Sequence, residues 1–260
     1  MAQEQLPRVV LGEPRILLHA PGLNVRPQML QLANGDVIVP ADRYVGEERV
    51  ESLAMISSDG GETWRRAASP WTGNVAGQLS DRTIITMAGF AQGPPNQPMT
   101  YVHRARRGKD AWESLQAGTV TIRAPAVSGI GDDLRPYQGL DLWNRLVELP
   151  NGDVLTTAYG WFEEDRAPIE HTYYRREPWP YPGWHKMRSV LLRSTDRGAT
   201  WDYVSTIASD PASGDEGPCE PTLTRTRGGD LVCIMRTGRV TALKIGNGLL
   251  RASATGDPLR

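Results

Sequence analysis

Three arginines, a glutamate and a tryptophan stand at matching distances from three glycine-bearing turns. Counting eight residues back from the first turn residue (Asn34, Asn151 and Gly228) reaches Arg26, Trp143 and Glu220. Counting eight forward from Gly35 reaches Arg43, and seven forward from Gly229 reaches Arg236. If each turn joins two strands, equal strand lengths at about 3.3 Å per residue bring these heads level. Arg26 and Arg43 then share one end of the first hairpin, and Glu220 and Arg236 share that end of the last. Guanidiniums from different hairpins aimed at one opening make a carboxylate clamp, because their planar forks match a carboxylate bidentately. A single Arg at a strand start is more often a surface ion pair. It is the set, at matching offsets, that points to an anionic ligand.

The elements that position these residues recur along the chain. A strand, a turn and a second strand are written in MLQLANGDVIVPA (Met29–Ala41), RLVELPNGDVLTTA (Arg145–Ala158) and TLTRTRGGDLVCIM (Thr222–Met235). Asn-Gly and Gly-Gly predict two-residue turns in which both central residues take φ > 0. A weaker copy, GQLSDRTIITMA (Gly77–Ala88), keeps the strands and loses the turn glycine. A second repeat, S-x-D-x-G-x-T-W, occurs as Ser57, Asp59, Gly61, Thr63 and Trp64 and again as Ser194, Asp196, Gly198, Thr200 and Trp201. Its chemistry is that of a turn. The Asp accepts backbone N–H bonds, the Gly takes φ > 0, the Thr opens the next strand and the Trp folds back as an apolar plug. These ten residues are expected to be structural. Because the Asp turn follows the hairpin, the unit has four strands, the mark of a β-propeller blade. Gly35 to Gly229 spans 194 residues in three steps, about 65 per unit, so the chain holds about four units. Val240–Arg260 carries no third strand, Asp turn or Trp in its pattern, which predicts a domain, residues 1–260, that stops short at its C-terminus.

Composition agrees with an all-β enzyme-sized domain. The 260 residues include 27 Gly and 20 Pro, with eight Trp and eight Tyr against only two Phe, as many short strands and tight turns require. Lys plus Arg number 29 against 30 Asp plus Glu, a formal charge of −1, which argues against a nucleic acid or an anionic membrane as main partner. No apolar run approaches the roughly 18 residues that span a bilayer. The basic run His103–Lys109 is short and lacks interleaved aromatics, so a solvated loop accounts for it. The four His show no metal-ligand spacing, and no nucleophile elbow, P-loop or dinucleotide fingerprint is present, so no metal and no cofactor is expected. Cys219 and Cys233 read as free thiols; bridged, they would tie one hairpin only. Met1–Pro21 has no charged start followed by an apolar core and a cleavage site, so a cytoplasmic protein is expected, although a mature secreted chain would read the same.

The paired S-x-D-x-G-x-T-W turns resemble the Asp-boxes of BNR repeats, and the chain is similar to the sialidase (neuraminidase) family of six-bladed β-propellers over roughly residues 22–238. Asp-boxes lie at the blade periphery, and they also occur in propellers that cleave no sugar. VRP at Val25–Pro27 is similar to the family's R-I-P motif, whose Arg belongs to the triad that binds the substrate carboxylate. Cys219–Arg236 resembles the segment carrying a Glu and, sixteen residues on, a second triad Arg. The resemblance thus implies that Arg26 and Arg236 grip a sialic acid carboxylate, that Arg43 is the additional Arg after the first hairpin, and that Glu220 supports a Tyr nucleophile. A Tyr suits an anionic sugar, which would repel an attacking carboxylate. The family's acid is an Asp in the loop after the extra Arg; here Glu47 or Glu48 stands there. The third triad Arg and the Tyr would lie beyond residue 260.

A long aromatic insertion, Tyr159–His185, includes Trp161, Tyr173 and Tyr174 and lengthens the third unit. A loop of this size is functional or mobile in most domains. It would offer platforms for sugar rings at the channel mouth, or equally cap a blade or contact another subunit; Tyr173 or Tyr174 is a further candidate nucleophile. Two function classes follow. One is an exo-glycosidase releasing terminal sialic acid, a uronic acid or another acidic sugar from glycans. The other is a non-catalytic propeller that binds carbohydrate or protein.

Overall fold

The computed structural model describes residues 13–19, 21–24, 28–46, 48–68, 75–91, 93, 97–108, 112–126, 139–162, 164–168, 185–212, 214, 217–237 and 248–252. Among the described residues every regular element is a strand. The first sheet holds β1 (Leu23–Asn24), β2 (Leu30–Gln31), β3 (Val37–Val45), β4 (Glu48–Ser57) and β5 (Arg65–Ala68), with β3 paired to β1, β2 and β4, and β4 to β5. Next come β6 (Val75–Gln78), β7 (Thr83–Met87), β8 (Phe90–Ala91), β9 (Met99–Arg107) and β10 (Trp112–Arg123). Of these, β6, β7, β9 and β10 pair antiparallel in that order. β11 (Leu140–Glu148), β12 (Val154–Gly160), β13 (Arg188–Ser194) and β14 (Trp201–Ala208) do the same. The last sheet is β15 (Cys219–Arg225), β16 (Leu231–Arg236) and β17 (Gly248–Ala252).

Two short parallel pairings join the middle groups. β6 meets β11 through Val75 and Asn144, and β10 meets β14 through Ile122 and Trp201, so eight strands close into a ring. Each of these closing pairings covers two residues on each strand. The inner junction needs a glycine: a Cβ on Gly77 would stand 2.6 Å from Leu146 Cβ.

The four turns share one geometry, and it is not the expected one. In each, a carbonyl accepts from the N–H three residues on, as in Leu32 from Gly35 (2.9 Å), and the same residue's N–H donates to the carbonyl four on, as in Leu32 to Asp36 (2.8 Å). Only one turn residue has positive φ: Gly35 (91°), Gly152 (90°), Gly229 (96°) and, in the copy without glycine, Arg82 (69°). This is a three-residue turn ending in a left-handed residue. Asn34 and Asn151 act through their side chains instead, each Oδ1 accepting from the N–H two residues on at 3.2 Å. The C-terminal stretch differs too. β17 pairs with β16 from Leu231↔Ala252 to Met235↔Gly248 and supplies a third strand where none was expected. A ladder needs extended backbone rather than a side-chain pattern, and five residues are too few to show a period.

Burial follows position in the sheets. β7 and β12 are buried along their whole length, whereas β16 alternates. Within the ring the core includes Val75, Ile85, Val102, Ile122, Leu142, Val154, Leu192 and Trp201. Ile38 and Ile56 of the first sheet pack on Ala76 and Ile84, and Leu155 of β12 packs on Leu223, Leu231, Cys233 and Met235. The two middle hairpins therefore press one face on the sheet before and one on the sheet after, while the first and last each pack on a single neighbour in these clusters.

Candidate functional site

The hairpin turns lie at one end of the sheets, so the starts of β11 and β15 and the ends of β12 and β16 lie at the other. Along β11, Leu140 and Leu142 enter the ring core, which turns Asp141 and Trp143 to the opposite face. Tyr159 pairs directly opposite Asp141, and Thr157 opposite Trp143, so all four share the face that looks toward β15. Thr157 Oγ1 donates to the Pro221 carbonyl at 2.7 Å and fixes that approach. Tyr159, Met187 and Cys219 are buried together, flanked by Trp143 and Trp161. The Trp143 and Tyr159 rings meet edge-on with centroids 6.4 Å apart.

Glu220 stands beside this cluster. The register of β15 on β16 shifts between Cys219 and Thr222, and Glu220, in that bulge, has φ 51°. A non-glycine residue in left-handed conformation within a bulge marks a side chain that has been re-aimed. Arg236 pairs opposite Cys219, and its Nε donates to Glu220 Oε2 at 2.9 Å. Both side chains keep part of their surface in solvent. Bulges also fall beside the corresponding residues of the other hairpins, between Trp143 and Val147 in β11 and between Arg43 and Tyr44 in β3.

Tyr159 is the electrostatic centre of the cluster. Burial, together with the nearby Asp141, Cys219 and Glu220 and a hydrogen bond to the Asp141 carboxylate, pushes its phenol far above the ordinary value. The hydroxyl therefore stays protonated and donates. Burial likewise pushes the Cys233 thiol up to about 12, and both cysteines are free.

The candidate residues divide by location. Glu220, Arg236 and Trp143 are brought to one end of adjacent sheets. Arg43 lies in the first sheet, where its Nε donates to Glu51 Oε2 at 3.2 Å; Glu51 is opposite it across the strands and also holds Arg66. Glu48 is exposed at the start of β4, opposite Val45. Arg26 and Glu47 lie outside the described residues, as do Tyr173 and Tyr174. The ends of the aromatic insertion are tied, since Trp161 Nε1 donates to the His185 carbonyl at 2.6 Å and Pro168 bridges His185. Asp141 and Tyr159 escaped the spacing argument. Yet the offset that reaches Arg236 from Gly229, seven residues, reaches Tyr159 from Gly152.

The S-x-D-x-G-x-T-W turns sit between β4 and β5 and between β13 and β14, at the end of the sheets that carries the hairpin turns, since Ser57 pairs with Val37 and Ser194 with Val154, and so away from this cluster. Asp59 Oδ1 accepts from the Thr63 N–H at 2.9 Å, Ser57 Oγ accepts from the Gly61 N–H at 2.8 Å, and the second turn repeats both bonds at 2.8 and 2.6 Å. Gly61 and Gly198 have φ 99° and 86°. Trp201 is fully buried, while Trp64 is half-buried and donates through Nε1 to the Gly61 carbonyl at 2.9 Å.

A polar cavity of about 310 Å³ lies behind Met187, lined by Asp165, Lys186, Arg188 and Asp210 among others. Its buried cations are already bonded. Arg188 pairs with Asp165 and with Glu164 (2.9 Å), and Lys186 Nζ donates to the carbonyls of Pro211 (2.6 Å) and Gly214 (2.8 Å). No group of three or more His, Cys, Asp or Glu able to hold a metal occurs among the described residues. No helix among them is long and apolar enough to cross a membrane.

No family profile matches the chain, and no curated relative matches it either. Solved structures do. A protein of unknown function from Dyadobacter fermentans superposes with a TM-score of 0.52 at 18% identity, over 91% of this chain and 71% of that one. A Hadza microbial sialidase gives a TM-score of 0.55 at 14% identity, over 91% of this chain and 45% of that one. The Penicillium chrysogenum alpha-L-arabinanase complexed with arabinobiose gives 0.53 at 16% identity, over 92% and 64%. The chain thus spans about half to two-thirds of the length of these two enzymes. At such identities the likeness is one of fold, and the fold is that of the sialidase-like β-propellers.

Proposed function

We propose that this chain carries part of the active site of a glycoside hydrolase acting on an acidic sugar, built on propeller blades of four antiparallel strands, with the two S-x-D-x-G-x-T-W turns as their Asp-boxes. The observation that carries this reading is the Glu220–Arg236 pair, aimed by a bulge with positive φ into an aromatic-walled corner at the end of two adjacent sheets. Arg236, with Arg26 from the first hairpin, would take the substrate carboxylate bidentately, and Glu220 would supply negative charge to the reacting centre. Trp143 would lie against the sugar. Glu47 and Glu48 remain proposed acids, and Arg43 a proposed further cation, on the grounds of the resemblance alone.

A second reading, hydrolysis of a neutral glycan, has its own support. Arg43 and Arg236 already carry carboxylate partners, Glu51 and Glu220. A clamp whose charge is cancelled within the protein has less to offer an anion. Assaying the protein with the 4-methylumbelliferyl glycosides of sialic acid, glucuronic acid and arabinofuranose separates the two. The first reading expects turnover of an acidic sugar that falls at least tenfold in Arg236→Ala, largely through KM. Turnover of the arabinofuranoside alone supports the second. Turnover of none, with glycan binding retained in Arg236→Ala, favours a non-catalytic propeller.

A further inference from the structure

We propose that Thr157 on β12 and Ser189 on β13 are the positioning residues of Glu220, clamping the backbone carbonyls on either side of it, an assignment whose catalytic meaning rests on the glycosidase reading. The ladder of β15 does not hold Glu220. Its register on β16 runs from Cys219↔Arg236 to Thr222↔Ile234, so Glu220 and Pro221 together stand against the single residue Met235. Pro221 has no N–H to give, and Glu220 takes φ 51°, which a residue with a side chain disfavours. Such a residue keeps its conformation only where the surroundings over-determine it.

Those surroundings belong to the sheet before. Ser189 lies opposite Tyr159, and Thr157 stands two residues before Tyr159, so both hydroxyls share the face that looks toward β15. Both residues are fully buried, and each donates to the carbonyl of a proline, Ser189 Oγ to Pro218 at 2.9 Å and Thr157 Oγ1 to Pro221 at 2.7 Å. The two carbonyls bracket Cys219 and Glu220. The chain leading into β15 is tied down as well. Lys186 Nζ holds the carbonyls of Pro211 and Gly214, and Gly217, with φ 84°, packs so closely that a Cβ would overlap the Met187 carbonyl oxygen. Pro218 and Pro221 are buried, so removing either hydroxyl leaves a carbonyl without its donor where water does not replace it. The clamp sets where the Glu220 carboxylate stands, and with it the 2.9 Å bond from Arg236 Nε, from a sheet that contributes neither residue.

The Nε–H resonance of Arg236 in the ¹⁵N-labelled chain reads the clamp directly. Arg236→Lys identifies it by removing it, and Glu220→Ala gives its position without the partner. Thr157→Val, which keeps the side-chain shape, and Ser189→Ala should each move it toward the Glu220→Ala position. The Nε–H of Arg43, bonded to Glu51 in the first sheet, should stay in place, and Thr157→Ser, which restores the donor, should return Arg236 to its original position. On whichever glycoside the unaltered chain turns over, kcat should fall about 10- to 100-fold in Thr157→Val and recover in Thr157→Ser. If Thr157→Val does not fold, Ser189→Ala, the smaller truncation, decides. An unmoved Arg236 resonance in the folded variants, or an equal shift of Arg43, would overturn the clamp and leave the glycosidase reading standing. A moved resonance in a chain that turns over no glycoside would support the clamp and overturn that reading.

Discussion

At the scale of single residues, the two aspartates of the repeated turns carry the clearest electrostatic signature. The Thr63 hydroxyl, then the Thr63 N–H and the Ser57 hydroxyl, hold Asp59 down from 3.8 to about 2. Burial acts the other way at Asp196, yet bonds from Thr200 and Ser194 outweigh it and bring that carboxyl to about 2 as well. A carboxyl whose value is lower in the folded chain stabilises it above the unfolded value near 3.8 and loses that contribution as the pH falls through about 2. Melting temperature should therefore drop between pH 4 and pH 2 more steeply for the unaltered protein than for Asp196→Asn. The variant should be the less stable of the two at pH 7, and the gap should narrow in acid. Parallel slopes would mean that the turn does not depend on the charge.

At the scale of elements, the second hairpin is the informative one. It forms the same three-residue turn as the others although Arg82 occupies the left-handed position that glycine fills elsewhere, with φ 69°. A side chain there costs about 1–2 kcal/mol against the preceding backbone. Arg82→Gly should stabilise the chain by about 1 kcal/mol, and Gly152→Ala should cost a similar amount. Urea unfolding midpoints measure both. The bulges are the other devices of this scale. They fall where Arg43, Trp143 and Glu220 stand, and they let a strand that is regular in the core change direction at the end where side chains must converge.

For the whole molecule, stability depends on how adjacent groups of strands are joined. Trp201 is fully buried where β14 pairs with β10, so one side chain fills the space between two antiparallel groups. Trp64, in the matching turn, precedes β5, for which no second strand neighbour occurs among the described residues, and it stays half-buried. Trp201→Ala should cost about 3–5 kcal/mol and Trp64→Ala distinctly less. Equal costs in denaturant titration would show that the ring junction contributes nothing special. Catalysis belongs to this scale as well, because the proposed corner draws on β11, β12, β15 and β16 together.

Much of this was legible in the order of residues. Four strand–turn–strand units, two Asp turns with their bonding partners, and the meeting of Glu220 with Arg236 all follow from local turn chemistry and the fixed rise of a strand. Those rules act over a few residues and need no knowledge of neighbours. What they could not reach was set by contacts between units. Counting along strands does not reveal bulges, so it missed the re-aiming of Glu220. It pointed Arg43 at an opening, whereas the residue across the ladder, Glu51, bonds its guanidinium. It took the turn of the second hairpin as weak, although packing of its strands carries Arg82 through an unfavourable conformation. And it passed over Asp141 and Tyr159, ordinary strand residues that face each other across one ladder and whose phenol is buried only when Cys219, from a different hairpin, packs against it.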